Sequence, residues 1–222
     1  MEKPRRNGFS EASLGPIQPL RIFLALGVGT WLLLSLFRSL PKLLPEGWRL
    51  DSGANFRLFR LRFETWQRSW PSLGAFYMAA GLAHFTAQTS FEAIYPPQGT
   101  WGFWSLPGSA TFHVAWTGLA ELAGGFGLCV GATLLGLAGA LGQEAPTWLK
   151  RVPALSALGL FGLTWAVTPA NVYMYTHGAQ MTGLTPGDQA IPVEFHLVRG
   201  ILQVLLLSLL WGYWRALTWN PN

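Results

Sequence analysis

The chain has 222 residues, half of them apolar and only 11% charged, with 15 Lys and Arg against 10 Asp and Glu. A soluble domain carries roughly 25% charged residues, so this composition, with its 12 Trp and 26 Gly, is that of a membrane protein. The net charge of +5 is spread between apolar stretches rather than gathered in a patch, so no nucleic-acid partner is expected, and the single Cys129 excludes an intrachain disulfide and a cysteine-based zinc cluster.

Residues 1–19 read as a short flexible tail. Lys3, Arg5, Arg6 and Arg21 precede an apolar run, but no small-residue cleavage site follows within reach, so a cleaved signal peptide is not expected. Residues 20–38 form an N-terminal apolar helix. Its uncharged part, 22–37, gives about 24 Å at ~1.5 Å per residue, short for a crossing. A crossing would also carry Lys3, Arg5 and Arg6 to the side opposite the other basic segments, so this helix reads either as a fifth span or as an interfacial or re-entrant one. Residues 39–71 interleave Phe56, Leu58, Leu61, Phe63 and Trp66 with arginines, the pattern of a basic amphipathic segment lying on head groups.

Residues 72–217 contain four apolar stretches, at 72–89, 110–141, 154–175 and 192–217. Their connections alternate in basic content. Seven Lys or Arg lie between 38 and 68, none in 90–109, Lys150 and Arg151 in 142–153, none in 176–191, and Arg215 at the end. The basic connections therefore belong on the cytoplasmic (or stromal) side and the others on the trans side. All four histidines, His84, His113, His177 and His196, fall at the trans ends of their stretches. The aromatic trans loop with Trp101, Phe103 and Trp104 is expected at the interface or as a cap over the bundle.

Each stretch carries one polar face at helical spacing. These are Tyr77, His84 and Gln88; His113, Thr117 and Glu121; Thr164, Thr168, Asn171 and Tyr175; and His196, Arg199 and Gln203. Four such helices make a bundle with a polar centre opening to the trans side. Ionisable groups at membrane depth are costly and usually face such an interior. Glu121 lies about 15 Å down its helix and Arg199 near 10 Å, so an ion pair between them is the simplest resolution, with a protonated Glu121 as the alternative. For the Thr, Asn and Gln members, hydrogen bonding between helices is the simpler role. His84 and His196 are candidates for a shared site, whereas His113 and His177 read as solvated. Gly124, Gly125, Gly127 and Gly131 point to a close helix contact or a kink. No P-loop, dinucleotide fingerprint, H-E-x-x-H or G-x-S-x-G occurs.

From Phe76 to Trp211 the chain resembles the DoxX-like family of small four-helix membrane proteins. The resemblance is carried by Gly81-Leu82-Ala83-His84-Phe85, Tyr95-Pro96-Pro97, Thr117-Gly118-Leu119-Ala120-Glu121 with Gly124-Gly125-Phe126-Gly127, Pro169-Ala170-Asn171-Val172-Tyr173-Met174, and Ile201-Leu202-Gln203. It implies an all-α transmembrane four-helix bundle, here with the additional N-terminal helix. It also points to His84, Glu121, Asn171 and Gln203, which spacing already selects. Some members of that family serve membrane redox systems, including a thiosulfate:quinone oxidoreductase; the first 70 residues and the loop 98–107 depart from its pattern.

These readings define three expectations. The first is a redox-associated subunit or quinone- or isoprenoid-handling oxidoreductase component. In it, His84, Glu121, His196 and Arg199 do the chemistry, and Asn171, Gln203 and Tyr77 hold the ligand. A quinone is the expected ligand, haem or a metal the weaker one, and the electrons come from a membrane redox partner. The second is a non-catalytic assembly or scaffold subunit, and the third an isomerase acting on a lipid. The expected location is a cell inner membrane, or a thylakoid or plastid membrane in a photosynthetic organism.

Overall fold

The computed structural model describes residues 17–43, 70–181 and 192–218. Helix is the only regular secondary structure among them. The elements are α1 (Ile17–Leu43), α2 (Trp70–Thr86), α3 (Gln88–Ala93), a 3-10 turn (Thr100–Gly102), α4 (Ala110–Ala140), α5 (Thr147–Ala166), α6 (Thr168–His177) and α7 (Val193–Thr218). Among the described residues, four helices are long and apolar enough to cross a membrane: Gln18–Leu36, Ala110–Ala140, Thr147–His177 and Glu194–Thr218. The sequence pattern instead makes the N-terminal helix the extra one and 72–89 a full span. By length the N-terminal helix qualifies and α2, at 17 residues, falls short.

Several boundaries differ from those expected, most of them because a charge or proline lies inside a helix. Arg21 and Arg38 fall within α1, which runs for 27 residues and takes in 17–19 of the expected tail and 39–43 of the expected basic segment. Residues 70 and 71 of the basic segment open α2; residues 1–16 and 44–69, with Arg57 to Arg68 among them, lie outside the described residues. Lys150, Arg151 and Pro153 sit in the first turns of α5, which begins at Thr147 rather than 154. The expected stretch 154–175 is two helices, broken at Val167 two residues before Pro169, whose missing N–H cannot continue the ladder. A second break, at Ala87, separates α2 from α3.

Glycine decides which helices meet. A Cβ on Gly74 would lie 2.6 Å from the Gly125 carbonyl oxygen, and one on Gly125 equally close to that of Gly74. Gly81 and Gly118 form a second such pair, with a Cβ on Gly81 falling 2.7 Å from the Gly118 oxygen. Both pairs are seven residues apart on their own helix, so one face of α2 lies backbone-to-backbone, antiparallel, on one face of α4. The adjoining face of α4 meets α5: Gly124 receives Leu160, Gly127 receives Ser156, and Gly131 receives Pro153. Of the two readings of these glycines, a close contact or a kink, the structure has the close contact.

α7 packs antiparallel on α5, and α1 packs on α7. Gln18 lies near His196 and Leu197, and Gly29 meets Val204, so α1 runs parallel to α7 and starts at the histidine end. The other end of the bundle is closed by a core of Trp70, Leu128, Ala157, Leu160 and Leu210, with Trp70 stacked on Tyr213 at 4.2 Å. Leu20, Leu24, Val28 and Trp31 on α1, and Leu197 and Ile201 on α7, are exposed large apolar side chains, as expected of surfaces facing lipid.

Candidate functional site

The loop between α3 and α4 folds over the histidine end. Ser109 caps α4, its hydroxyl accepting from the Phe112 N–H at 3.1 Å. Trp101 is held at φ 57°, a region bulky residues rarely enter. It is buried, and its indole N–H donates to the Thr176 hydroxyl at 3.0 Å, tying the loop to the end of α6. Trp104, Tyr173 and His177 pack around its ring, while Phe103 stays exposed.

His113 pins the loop from the other side. Its Nε2 meets the Pro107 carbonyl at 2.9 Å and its Nδ1 meets the Trp116 indole N–H at 3.0 Å. A carbonyl only accepts and an indole only donates, so the ring carries its proton on Nε2 and both nitrogens are used. His113 is buried, with Tyr95 stacked on it at 5.1 Å. This corrects the expectation that it is solvated. His177 is exposed, its Nδ1 2.8 Å from the Thr176 hydroxyl.

Beneath the cap is a cavity of about 200 Å³. It occupies the space opened by the two helix breaks, with Phe91 and Ile94 on one side and Val167 and Pro169 on the other. Glu121 and His84 line it together. The close approach at Gly118 sets His84 against α4, since a Cβ there would fall 2.6 Å from the His84 Cβ. Phe91 stacks on the imidazole at 3.9 Å. His84 Nδ1 is 3.0 Å from the Ala80 carbonyl and 3.3 Å from Glu121 Oε2. The carbonyl requires the proton of that nitrogen, so the contact with Glu121 is a close approach and Oε2 has no completed hydrogen bond. In the neutral form of the ring, Nε2 is then the lone-pair nitrogen.

Two further buried polar atoms in this cavity's lining lack a completed hydrogen bond, the Tyr95 hydroxyl and the Trp104 indole N–H. They approach one another without hydrogen-bond geometry. Burial pushes the Tyr95 phenol above its usual range, so it is protonated and able to donate. Leaving a buried donor or acceptor unmet costs about 1–3 kcal/mol each. Three such atoms border this one cavity.

The expected Glu121–Arg199 ion pair does not form. Arg199 donates instead to Asn171 Oδ1 and, at 3.2 Å, to the Met174 sulfur. It belongs to a network that is otherwise complete. Asn171 donates to Gln203 Oε1 at 3.4 Å, and Gln203 donates to the Thr168 hydroxyl at 2.6 Å and the Thr164 carbonyl at 3.4 Å. The Thr164 hydroxyl gives its proton to Leu160, so Tyr77, 3.2 Å away, is the donor to it. The network joins α2, α5, α6 and α7, which is the interhelical role expected of Thr, Asn and Gln. Beyond it, between α1 and α6–α7, lies a second cavity of about 420 Å³ with His196, Tyr175 and Gln203 in its lining.

The sequence-selected residues are therefore divided. His84 and Glu121 line the first cavity, His196 and Gln203 the second, and Asn171 and Arg199 both, while Tyr77 lies in the network. The four histidines share an end of the bundle but not a cavity. Gln88, grouped with the polar faces, pairs with Glu92 at 2.8 Å instead. Among the described residues, no three His, Cys, Asp or Glu side chains come together as a metal site. Tyr95 and Trp104 escape a reading based on helix periodicity because they sit in a loop; the density of aromatics in a connection without Lys or Arg is the signal that marks them. No family model, curated protein or solved structure matches the chain.

Proposed function

We propose that this integral membrane protein binds the head group of a quinone or related isoprenoid in the cavity at its histidine end, as a component of a membrane redox system. The observation that carries the reading is the set of three unmet polar atoms, on Glu121, Tyr95 and Trp104, around one largely apolar cavity. A quinone offers two carbonyl acceptors on a flat apolar ring, which suits the Trp104 and Tyr95 donors and the walls of Phe91, Ile94 and Val114. The quinol offers hydroxyl donors instead, which suit Glu121 and the lone-pair nitrogen of His84.

Size fits a head group alone. Sites that enclose a drug-sized ligand measure roughly 300–1,000 Å³, so a cavity of about 200 Å³ leaves an isoprenoid tail outside, in the bilayer. Interconversion of quinone and quinol moves two protons with two electrons. Glu121 and His84 are the groups placed to exchange the protons; the electrons pass to or from a membrane redox partner. Asn171 and Arg199 form the wall toward α1. The DoxX-like resemblance, with its redox-associated members, points the same way.

The test is gentle extraction followed by mass spectrometry for bound quinone, and titration with a short-tailed quinone read by tryptophan quenching. Saturable binding is expected, weakened about 10- to 100-fold by Glu121→Gln, the range of a hydrogen bond to a charged group. An empty preparation that binds no quinone would defeat the proposal and leave the scaffold reading. Conversion of an added isoprenoid lipid without an electron donor would favour the isomerase instead.

A further inference from the structure

Arg199 poses a problem that the first cavity does not solve. Its guanidinium remains charged under all ordinary conditions, and it lies six residues into α7, about 9 Å along the helix. Its hydrogen-bond partners are Asn171 Oδ1 and the Met174 sulfur, both neutral. Among the described residues, no carboxylate lies within 4.0 Å of it. Glu121, the acid lining the first cavity, sits against His84. A cation at membrane depth held only by neutral acceptors is expensive unless an anion joins it.

The second cavity supplies the place. It lies between α1 and α6–α7 and is amphipathic, with Gln18, His196 and Arg199 in its lining toward the histidine end and Ile22, Leu26 and Val172 as its apolar part. The helix surfaces beside it carry exposed Leu20, Leu24, Leu197 and Ile201, so its surroundings are the lipid-facing side of the bundle. Gly200 lines it too, and open space surrounds the position where a Cβ would stand.

We infer that the cavity between α1 and α7 binds an anionic lipid from the leaflet at the histidine end, its phosphate paired with Arg199 and its chain lying along Ile22 and Leu26. Charge complementarity selects the head group and the apolar part selects a lipid over a free ion. The site shares Asn171 and Arg199 with the cavity at Glu121 as a common wall, and its remaining lining is its own. It also gives α1 a role, since α1 provides one wall.

Native mass spectrometry of the full chain in a non-ionic detergent tests it, with phosphatidylglycerol, phosphatidylcholine and inorganic phosphate as probes. Phosphatidylglycerol is expected to be retained about tenfold better than phosphatidylcholine, as for one charge-assisted contact, and millimolar phosphate is expected not to displace it. Arg199→Gln removes the preference. Gly200→Leu narrows the cavity while keeping the guanidinium and lowers retention of phosphatidylglycerol, so it decides the matter if Arg199→Gln does not fold. Equal retention of the two lipids, or a preference that survives Gly200→Leu, overturns the site. Displacement by inorganic phosphate overturns the lipid and leaves a phosphate site.

Discussion

The two ends of this bundle solve opposite problems with the same helices. At the basic end the chains close on one another. Gly74 and Gly125 bring two backbones together, and Trp70, Leu128, Ala157, Leu210 and Tyr213 fill what remains. At the histidine end the helices still touch at Gly81 and Gly118, but Ala87 and Val167 break two of the rods, and the space between the breaks stays open. The polar network at mid-bundle is met partner by partner, whereas Glu121, Tyr95 and Trp104 around the open space are not. The contrast separates polar residues that hold helices together from those that find no hydrogen-bond partner within the chain.

The largest effect that would sharpen this contrast lies at the glycine seam. Gly81→Leu forces a side chain against the Gly118 carbonyl and the Leu122 backbone, and α2 must leave α4. A loss of about 3 kcal/mol is expected, at the upper end for overpacking, measured by thermal unfolding in detergent. Gly159→Ala is the control, because nothing lies near its Cβ; it should gain about 0.5–1 kcal/mol from helix propensity. Equal effects at the two positions would break the account of the packing.

His113→Phe comes next. It keeps the ring stacked on Tyr95 but leaves the Pro107 carbonyl and the Trp116 indole without partners. A loss of about 2 kcal/mol is expected for the two contacts, together with faster hydrogen exchange at Gly99–Ser109 if the ring pins the cap.

Much of the fold is legible in the sequence because hydrophobic length is. The expected stretch 110–141 is α4 to within one residue, and 192–217 is α7 to within one. Charge misleads where a helix extends past it: Arg21, Arg38, Lys150 and Arg151 look like the limits of spans but lie inside helices. Of the site, Glu121 and His84 are legible from depth and spacing. Their partnership is not, since spacing orders residues on one helix and says nothing of which neighbour a glycine seam will bring up. That is why Arg199 looked like the counter-ion of Glu121, although Asn171 holds it. Tyr95 and Trp104 follow no period, and only the folded loop brings them over the cavity.

A smaller effect is expected in the network. Gln203→Leu removes contacts to Thr168, Thr164 and Asn171. Interhelical hydrogen bonds in membranes are worth about 0.6 kcal/mol on average and up to ~1.7, so a loss of about 1 kcal/mol is expected in steric-trapping or denaturant unfolding. The first cavity should keep its ligand affinity, because Gln203 does not line it. A collapse of that affinity would mean that the two sets of polar residues act as one.

The smallest effect should fall on Glu121. Replacing a buried polar group normally costs stability because its partners are stranded. Glu121 Oε2 has no hydrogen-bond partner, and His84 keeps its bond to Ala80 when the acid is removed. Glu121→Leu, of comparable size, therefore strands nothing and removes an unmet oxygen. In ligand-free protein the change should lie within about 0.5 kcal/mol of zero or be stabilising, while ligand binding at the histidine end is lost. A destabilisation near that of His113→Phe would place Glu121 among the residues that hold the bundle together, and the division between its two ends would then fail at its central residue.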